Sequence, residues 1–336
     1  MCTRHLLCAL ALFASSASMA QDCLPWQDGT KPRGAAAEEV ARKYLRNAAR
    51  EDLSGAELHA RLGRMLFDAQ CYDLALSEIL RARQLGANGA DFLLRLASAE
   101  NILGAFPDAA ADADAAASLP PGSAGQRASA AALAGVAFQS MGQADLAIER
   151  FRRSLELAPE LENSALMLAD LLAKKGLHTE AAAILEKFVA RTPSAIEPWA
   201  QLGHLESVLG NPARALGCWT RVQQLNADYP MLNSMLAQAM LAERNPNLPV
   251  VLRVLERAKQ KTPQDSDIFY FEGKTLVQLG RYAEAAKAFE TAVRLRPLQS
   301  NLYYQLGLVY RKLGHEDLAR KQFEIMAHLR AGQEGR

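Results

Sequence analysis

The sequence has almost no surplus of either charge: Lys and Arg together number 38, Asp and Glu 37. That balance argues against nucleic acid as the main partner, because phosphate neutralisation needs a basic excess. Tryptophan is scarce, at 3 residues, which argues against a groove built to stack sugars. Cysteine is scarce too, at 5 residues, and no Cys-x-x-Cys occurs. Neither a zinc ribbon nor a thioredoxin-like site is therefore expected. Beyond the amino terminus no apolar run approaches the roughly 20 residues of a membrane-spanning helix. Gly-x-Ser-x-Gly, the P-loop, Gly-x-Gly-x-x-Gly and His-Glu-x-x-His are all missing, and with them the usual signatures of catalysis or nucleotide binding.

Scattered polar residues do not repair these absences. The histidines outside the amino-terminal leader, His59, His178, His204, His315 and His328, show no metal-ligand spacing. His204-Leu205-Glu206 and the run Asp108, Asp112, Asp114 are expected on solvated helix faces, since calcium or zinc would need convergent ligands that neither provides. No cofactor, metal or catalytic residue is expected.

What is present begins with a leader. Arg4 and His5 precede the apolar run Leu6 to Phe13, and Ala14 to Ala20 is mostly small. Ser18-Met19-Ala20 puts small residues where a signal peptidase reads, predicting cleavage after Ala20 and a periplasmic or secreted chain without a membrane span. An uncleaved anchor is disfavoured by the short apolar run. A lipid anchor at Cys23 is disfavoured because Ala20-Gln21-Asp22 is no lipobox.

The rest of the chain repeats. Tyr303-x-x-Leu306-Gly307-x-x-Tyr310 is followed by Ala319-x-x-x-Phe323. One period earlier stand Phe269, Gly273, Leu276, Ala285, Phe289, Ala292 and Pro297. Earlier copies contain Trp199, Leu202, Gly203, Ala215 and Trp219, then Leu168, Ala169, Leu172, Gly176, Ala181, Leu185 and Pro193. Others contain Gly135, Phe138, Gly142, Ala147, Phe151 and Pro159; Leu96, Ala97, Gly104, Ala109 and Pro121; and Leu62, Gly63, Leu66, Ala75 and Ala82. This pattern resembles the tetratricopeptide repeat (TPR), a pair of helices about 34 residues long. The resemblance implies an all-α, right-handed superhelical solenoid.

Eight repeats are expected, at 56–89, 90–123, 128–161, 162–195, 196–229, 232–265, 266–299 and 300–333. Extra residues near Ser123–Gly125 and Tyr229–Pro230 are placed in the turns between repeats, where insertions cost little. The repeat at 232 is irregular, because Asn245-Pro246-Asn247-Leu248-Pro249 replaces its tight turn. Large residues such as Trp199 and Phe323 are expected to interdigitate between neighbours. Gly142, Gly176, Gly210, Gly280 and Gly314 are expected to end first helices at positive φ.

Residues 35–55 carry the phase of a second helix, with Ala41, Leu45 and Ala48, and read as a half repeat capping the array. Pro25, Gly29, Pro32 and Gly34 make residues 21–34 an irregular arm. Cys71 falls at the first repeat's turn, where a bond to Cys23 would pin the arm; two unbonded thiols are the alternative. No further helix is expected after about Arg330. Leu318, Ile325 and Leu329 are left as a self-association surface or a tolerated bare end.

In TPR proteins the first helices line a concave groove. The resemblance places Asn233, Tyr270, Lys274, Asn301, Tyr304, Leu308 and Arg311 there. Amides suit a peptide backbone, and tyrosines offer flat contact. Tyr270 and Tyr304 can equally be read as packing on neighbouring helices. The carboxylate-clamp pattern of chaperone-binding TPRs is not reproduced. The expected function is a non-catalytic scaffold that binds a partner protein segment during assembly of an envelope or secretion complex. The alternative is a soluble non-catalytic subunit of an enzyme or a polysaccharide-export complex.

Overall fold

The computed structural model describes residues 55–119 and 122–334. The leader, the arm, the half repeat before residue 55, and Cys23 with its pairing to Cys71 lie outside the described residues. Among the described residues sixteen helices follow one another and no strand occurs. The chain divides into two compact units, residues 1–175 and 176–336. It is an all-α solenoid of helix–turn–helix repeats.

The first unit contains α1 (Gly55–Asp68), α2 (Tyr72–Gln84), α3 (Ala90–Leu103), α4 (Phe106–Ser118), α5 (Ala124–Ser140), α6 (Ala144–Leu157) and α7 (Glu162–Lys174). Each element packs mainly on the next in sequence, as helices joined by short turns must. At one end Leu62, Leu66, Ile79, Leu93 and Leu96 form an aliphatic core. Further along, the buried positions shrink to alanine: Ala97, Ala113 and Ala134 form one cluster, Ala109, Ala110 and Ala137 another. Small side chains bring helix axes close, and each buries little apolar surface.

The second unit contains α8 (His178–Arg191), α9 (Ile196–Val208), α10 (Pro212–Leu225), α11 (Leu232–Ala242), α12 (Leu248–Lys261), α13 (Ser266–Gln278), α14 (Tyr282–Leu295), α15 (Ser300–Lys312) and α16 (Glu316–Glu334). Its cores use larger residues. Trp219, Val222, Leu232 and Leu236 pack together, as do Val251, Leu255, Ile268 and Phe271. Leu276, Phe289, Leu306 and Val309 complete the carboxyl-terminal core.

The turn glycines Gly142, Gly176, Gly210, Gly280 and Gly314 all sit at φ between 73° and 78°. Only a residue without Cβ takes that conformation cheaply. The first repeat has no glycine there, and Gln70 adopts φ 63° instead.

Close approach explains the other glycine position. A Cβ on Gly307 would lie 2.6 Å from the Phe323 ring, and one on Gly273 would lie 2.7 Å from Phe289. Phe323 therefore fills a space inside its own repeat. The first-helix glycine leaves room for a ring and nothing more.

The extra residues at Ser123–Gly125 do not form a loop insertion. They add a turn to α5, which runs 17 residues and starts with a capping box. The Ser123 hydroxyl accepts from the Gln126 backbone N–H, and the Gln126 side chain accepts from the Ser123 N–H. The second insertion is a turn, ending at Met231 in the left-handed region at φ 59°. α11 is short, at 11 residues. Its partner α12 starts after Asn247, whose side chain accepts from the Val250 N–H at 3.3 Å. α16 extends to Glu334, and no helix follows it among the described residues.

Candidate functional site

Positions 301, 304, 308 and 311 recur at helical spacing, so Asn301, Tyr304, Leu308 and Arg311 share one face of α15. Tyr270 and Lys274 occupy the matching face of α13. The two helices are tied through one core containing Leu276, Phe289, Leu306 and Val309.

The same ring pair is built twice. The Tyr270 ring centroid lies 6.1 Å from that of Phe289, and Tyr304 lies 6.1 Å from Phe323. Each pair joins the fifth residue of a repeat to the ring that fills its glycine notch. Each also holds a cation. The Lys274 ammonium sits 5.6 Å over Tyr270, and the Arg311 guanidinium 5.9 Å over Phe323. At these distances the ring quadrupole attracts the cation without neutralising it.

The two tyrosines differ in surroundings. Tyr270 also meets Phe271 edge-on at 5.2 Å and packs against two core clusters. Burial, and secondarily the Asp267 charge, pushes its hydroxyl pKa up. Its role is largely packing. Tyr304 is 42% exposed. Asn301 is partly buried, and its Oδ1 is sealed from solvent with no donor. Leu308 is partly buried on the same face.

Asn233 does not join this group. It lines a separate cavity of about 360 Å³ with Tyr229, Met231, Lys261 and Asp265. Lys261 pairs there with Asp228. A larger cleft of about 570 Å³ lies on the other side of α13, between α12 and α14, over Phe269 and Leu276. The structure thus gathers Tyr304, Asn301, Leu308 and Arg311, with Tyr270 and Lys274 one repeat away.

Phe323 belongs to this group although the sequence pattern marked it only as a packing residue. It is only partly buried and carries both Tyr304 and Arg311. Its helical offset from the notch glycine was the available signal.

Two supposedly solvated acids are buried. Glu206 is 0% exposed. It accepts from Asn211 Nδ2 at 2.8 Å and pairs with Arg214 at 3.1 Å, while Arg214 also pairs with Glu186. Burial, and secondarily Glu206, raises the neighbouring Cys218 thiol to about 11. Asp112 is 4% exposed and accepts from Arg83 at 2.8 Å. Beside it, burial and the Asp112 charge raise Glu100 to about 8. Asp114 pairs with Arg150 at 3.0 Å. Each acid faces a cation from another helix, which local spacing does not reveal. Cys71 is fully buried at the start of α2, its Sγ 3.7 Å from the Ala69 carbonyl.

Among the described residues no group of three His, Cys, Asp or Glu could hold a metal ion. No described helix is long and apolar enough to cross a membrane.

Two stretches match family models: residues 133–196 match one described as a tetratricopeptide repeat, and residues 273–314 one described as a TPR repeat. Among solved structures, the chain is similar to the C-terminal part of a TPR repeat-containing protein from Cytophaga hutchinsonii. The identity is 15%, covering 74% of this chain and 99% of that one, with a TM-score of 0.60. It is also similar to MamA, residues 41 to the end, from Desulfovibrio magneticus RS-1, at 21% identity over 50% of this chain and 94% of that one, TM-score 0.45. A third is YrrB, titled a TPR protein with an unusual peptide-binding site, at 19% identity over 54% of this chain and 93% of that one, TM-score 0.43. No curated protein matches the chain in sequence.

Proposed function

We propose that this chain, a tetratricopeptide-repeat protein, is a non-catalytic scaffold that grips a segment of a partner protein on the first-helix face of its last repeats. TPR folds bind proteins and peptides, so a general interaction role comes with the fold. What supports this location is the exposed Tyr304 ring, backed by Phe323 and flanked by Leu308, Asn301 and Arg311. A rigid aromatic beside an aliphatic side chain and a cation is the composition of a binding hot spot. Nothing in this group resembles a nucleophile with a base, so it reads as a grip and not a reaction centre.

Assembly of an envelope or secretion complex is the setting we infer. Support comes from the leader-like residues 1–20, with their Ser18-Met19-Ala20 end. Full-length chain expressed in a bacterial host should appear outside the cytoplasm with Gln21 as its first residue. A cytoplasmic product that retains Met1 overturns this setting.

The grip is tested by placing a photocrosslinking amino acid at 308 in the producing cell, with 284 on α14 as the control. Adducts are expected at 308, and Tyr304→Ala should reduce them without shifting the thermal melt. Equal adduct yield at both positions overturns this placement of the grip.

A further inference from the structure

Among the described residues of the second unit some cations are paired with carboxylates and others are not, and two of the latter are set over aromatic rings. Arg214, Lys259, Lys261, Arg281, Arg296 and Arg320 are each paired with a carboxylate. Lys274 and Arg311 are not: among the described residues neither has a carboxylate within 4.0 Å, and both lie over aromatic rings. A cation set in place by a ring keeps its full charge for a later partner, whereas an ion pair has already spent its own.

The surrounding charge points the same way. α15 carries Arg311 and Lys312 and no carboxylate. On the matching face of α13 the acidic residue Asp267 is already held by Arg296 at 3.2 Å. Glu243, near the end of the preceding first helix, makes no ion pair with Lys274. The same group adds apolar and aromatic surface from the exposed Tyr304 and the partly buried Leu308.

We propose that this face receives an acidic segment of the partner protein, with carboxylates on Lys274 and Arg311 and an apolar side chain on Tyr304 and Leu308. The inference rests on the groove reading above and adds the chemistry of what fills it. Pre-set guanidinium and ammonium groups select carboxylates through electrostatic complementarity, and the apolar surface of the same group supplies the contact area. Nucleic acid fits less well. Two ring-held cations neutralise few phosphates, and the whole chain carries a net charge of only +1.

The test pans the full mature chain against a random-sequence peptide library displayed on phage. Enriched peptides are then measured by fluorescence anisotropy. Enrichment for Asp and Glu around an apolar residue is expected. Lys274→Gln combined with Arg311→Gln should weaken the best peptide about tenfold, the sum of two partly exposed charge contacts. The charge-reversed pair Lys274→Glu with Arg311→Glu should lose the acidic peptides and enrich basic ones. All variants should melt with the parent, since neither side chain is buried in a core.

Enrichment with no acidic bias overturns the inference, as does full affinity in the Gln pair, no enrichment at all, or preferential binding of a fluorescent oligothymidylate. If neutral peptides are enriched and Tyr304→Ala abolishes their binding, the groove reading stands and only the acidic partner falls. If enriched peptides bind regardless of Tyr304→Ala, the groove reading falls as well.

Discussion

A single absent methyl group fixes where the last ring pair sits. With Gly307 as it is, the Phe323 ring occupies the notch and supports Tyr304 and Arg311 on its other side. Gly307→Leu should destabilise the chain by roughly 1–3 kcal/mol through overpacking, read by urea unfolding. It should also displace Tyr304 and weaken partner capture, whereas Gly314→Ala should affect stability alone. Glu100 gives a second residue-scale effect. Its folded-state pKa is about 8, against an ordinary value of 4.5. A raised carboxyl pKa contributes stability that is complete below the ordinary value and lost as pH rises through the folded one. Stability should therefore decline from about pH 5 to pH 8, and Glu100→Gln should flatten that decline in thermal melts taken across the range. An equal slope in parent and variant would show that Glu100 is not held neutral.

At the scale of elements, the helix-pair rhythm was legible because glycine notches, rings and turn glycines recur in phase. The first helices begin at Gly55, Ala90, Ala124, Glu162, Ile196, Leu232, Ser266 and Ser300. The departure at Ala124 came from reading extra residues as a loop when Ser123 and Gln126 cap them into helix. Burial of charge was not legible. Glu206 lies among α9's buried residues only because Asn211 and the α10 residue Arg214 reach it. Arg214→Ala should leave that carboxylate buried without its cation, held by the Asn211 amide, costing on the order of 3 kcal/mol in chemical denaturation. The site was half legible. Tyr270 and Tyr304 hold the same repeat position, yet Tyr270 packs on clusters that draw residues from both neighbouring repeats, Val251 and Leu255 before it and Leu306 and Val309 after it, while Tyr304 is exposed. The irregular repeat of α11 and α12 predicts a further difference. With a short first helix and a Pro-rich turn, its amides should exchange faster than those of α13 and α14. Equal protection would contradict that.

Across the whole molecule, stability in a stack of neighbour contacts is a sum along the chain, so the two compact units need not unfold together. The sequence boundary falls at residues 175 and 176, inside a regular repeat and away from the Pro-rich turn. A breakpoint of this kind depends on contact density along the chain, which no single repeat encodes.

The alanine clusters of α3, α4 and α5 have a thermal consequence. Heat capacity on unfolding tracks the apolar surface that becomes hydrated. A core of methyl groups releases less of it per residue than one built from Trp219, Phe271 and Phe289. Scanning calorimetry should therefore resolve a broad, shallow endotherm with a small baseline step for the first unit. The second unit should give a sharper one with a larger step. Its stability should be more strongly curved with temperature, and it should be the first of the two to weaken in the cold.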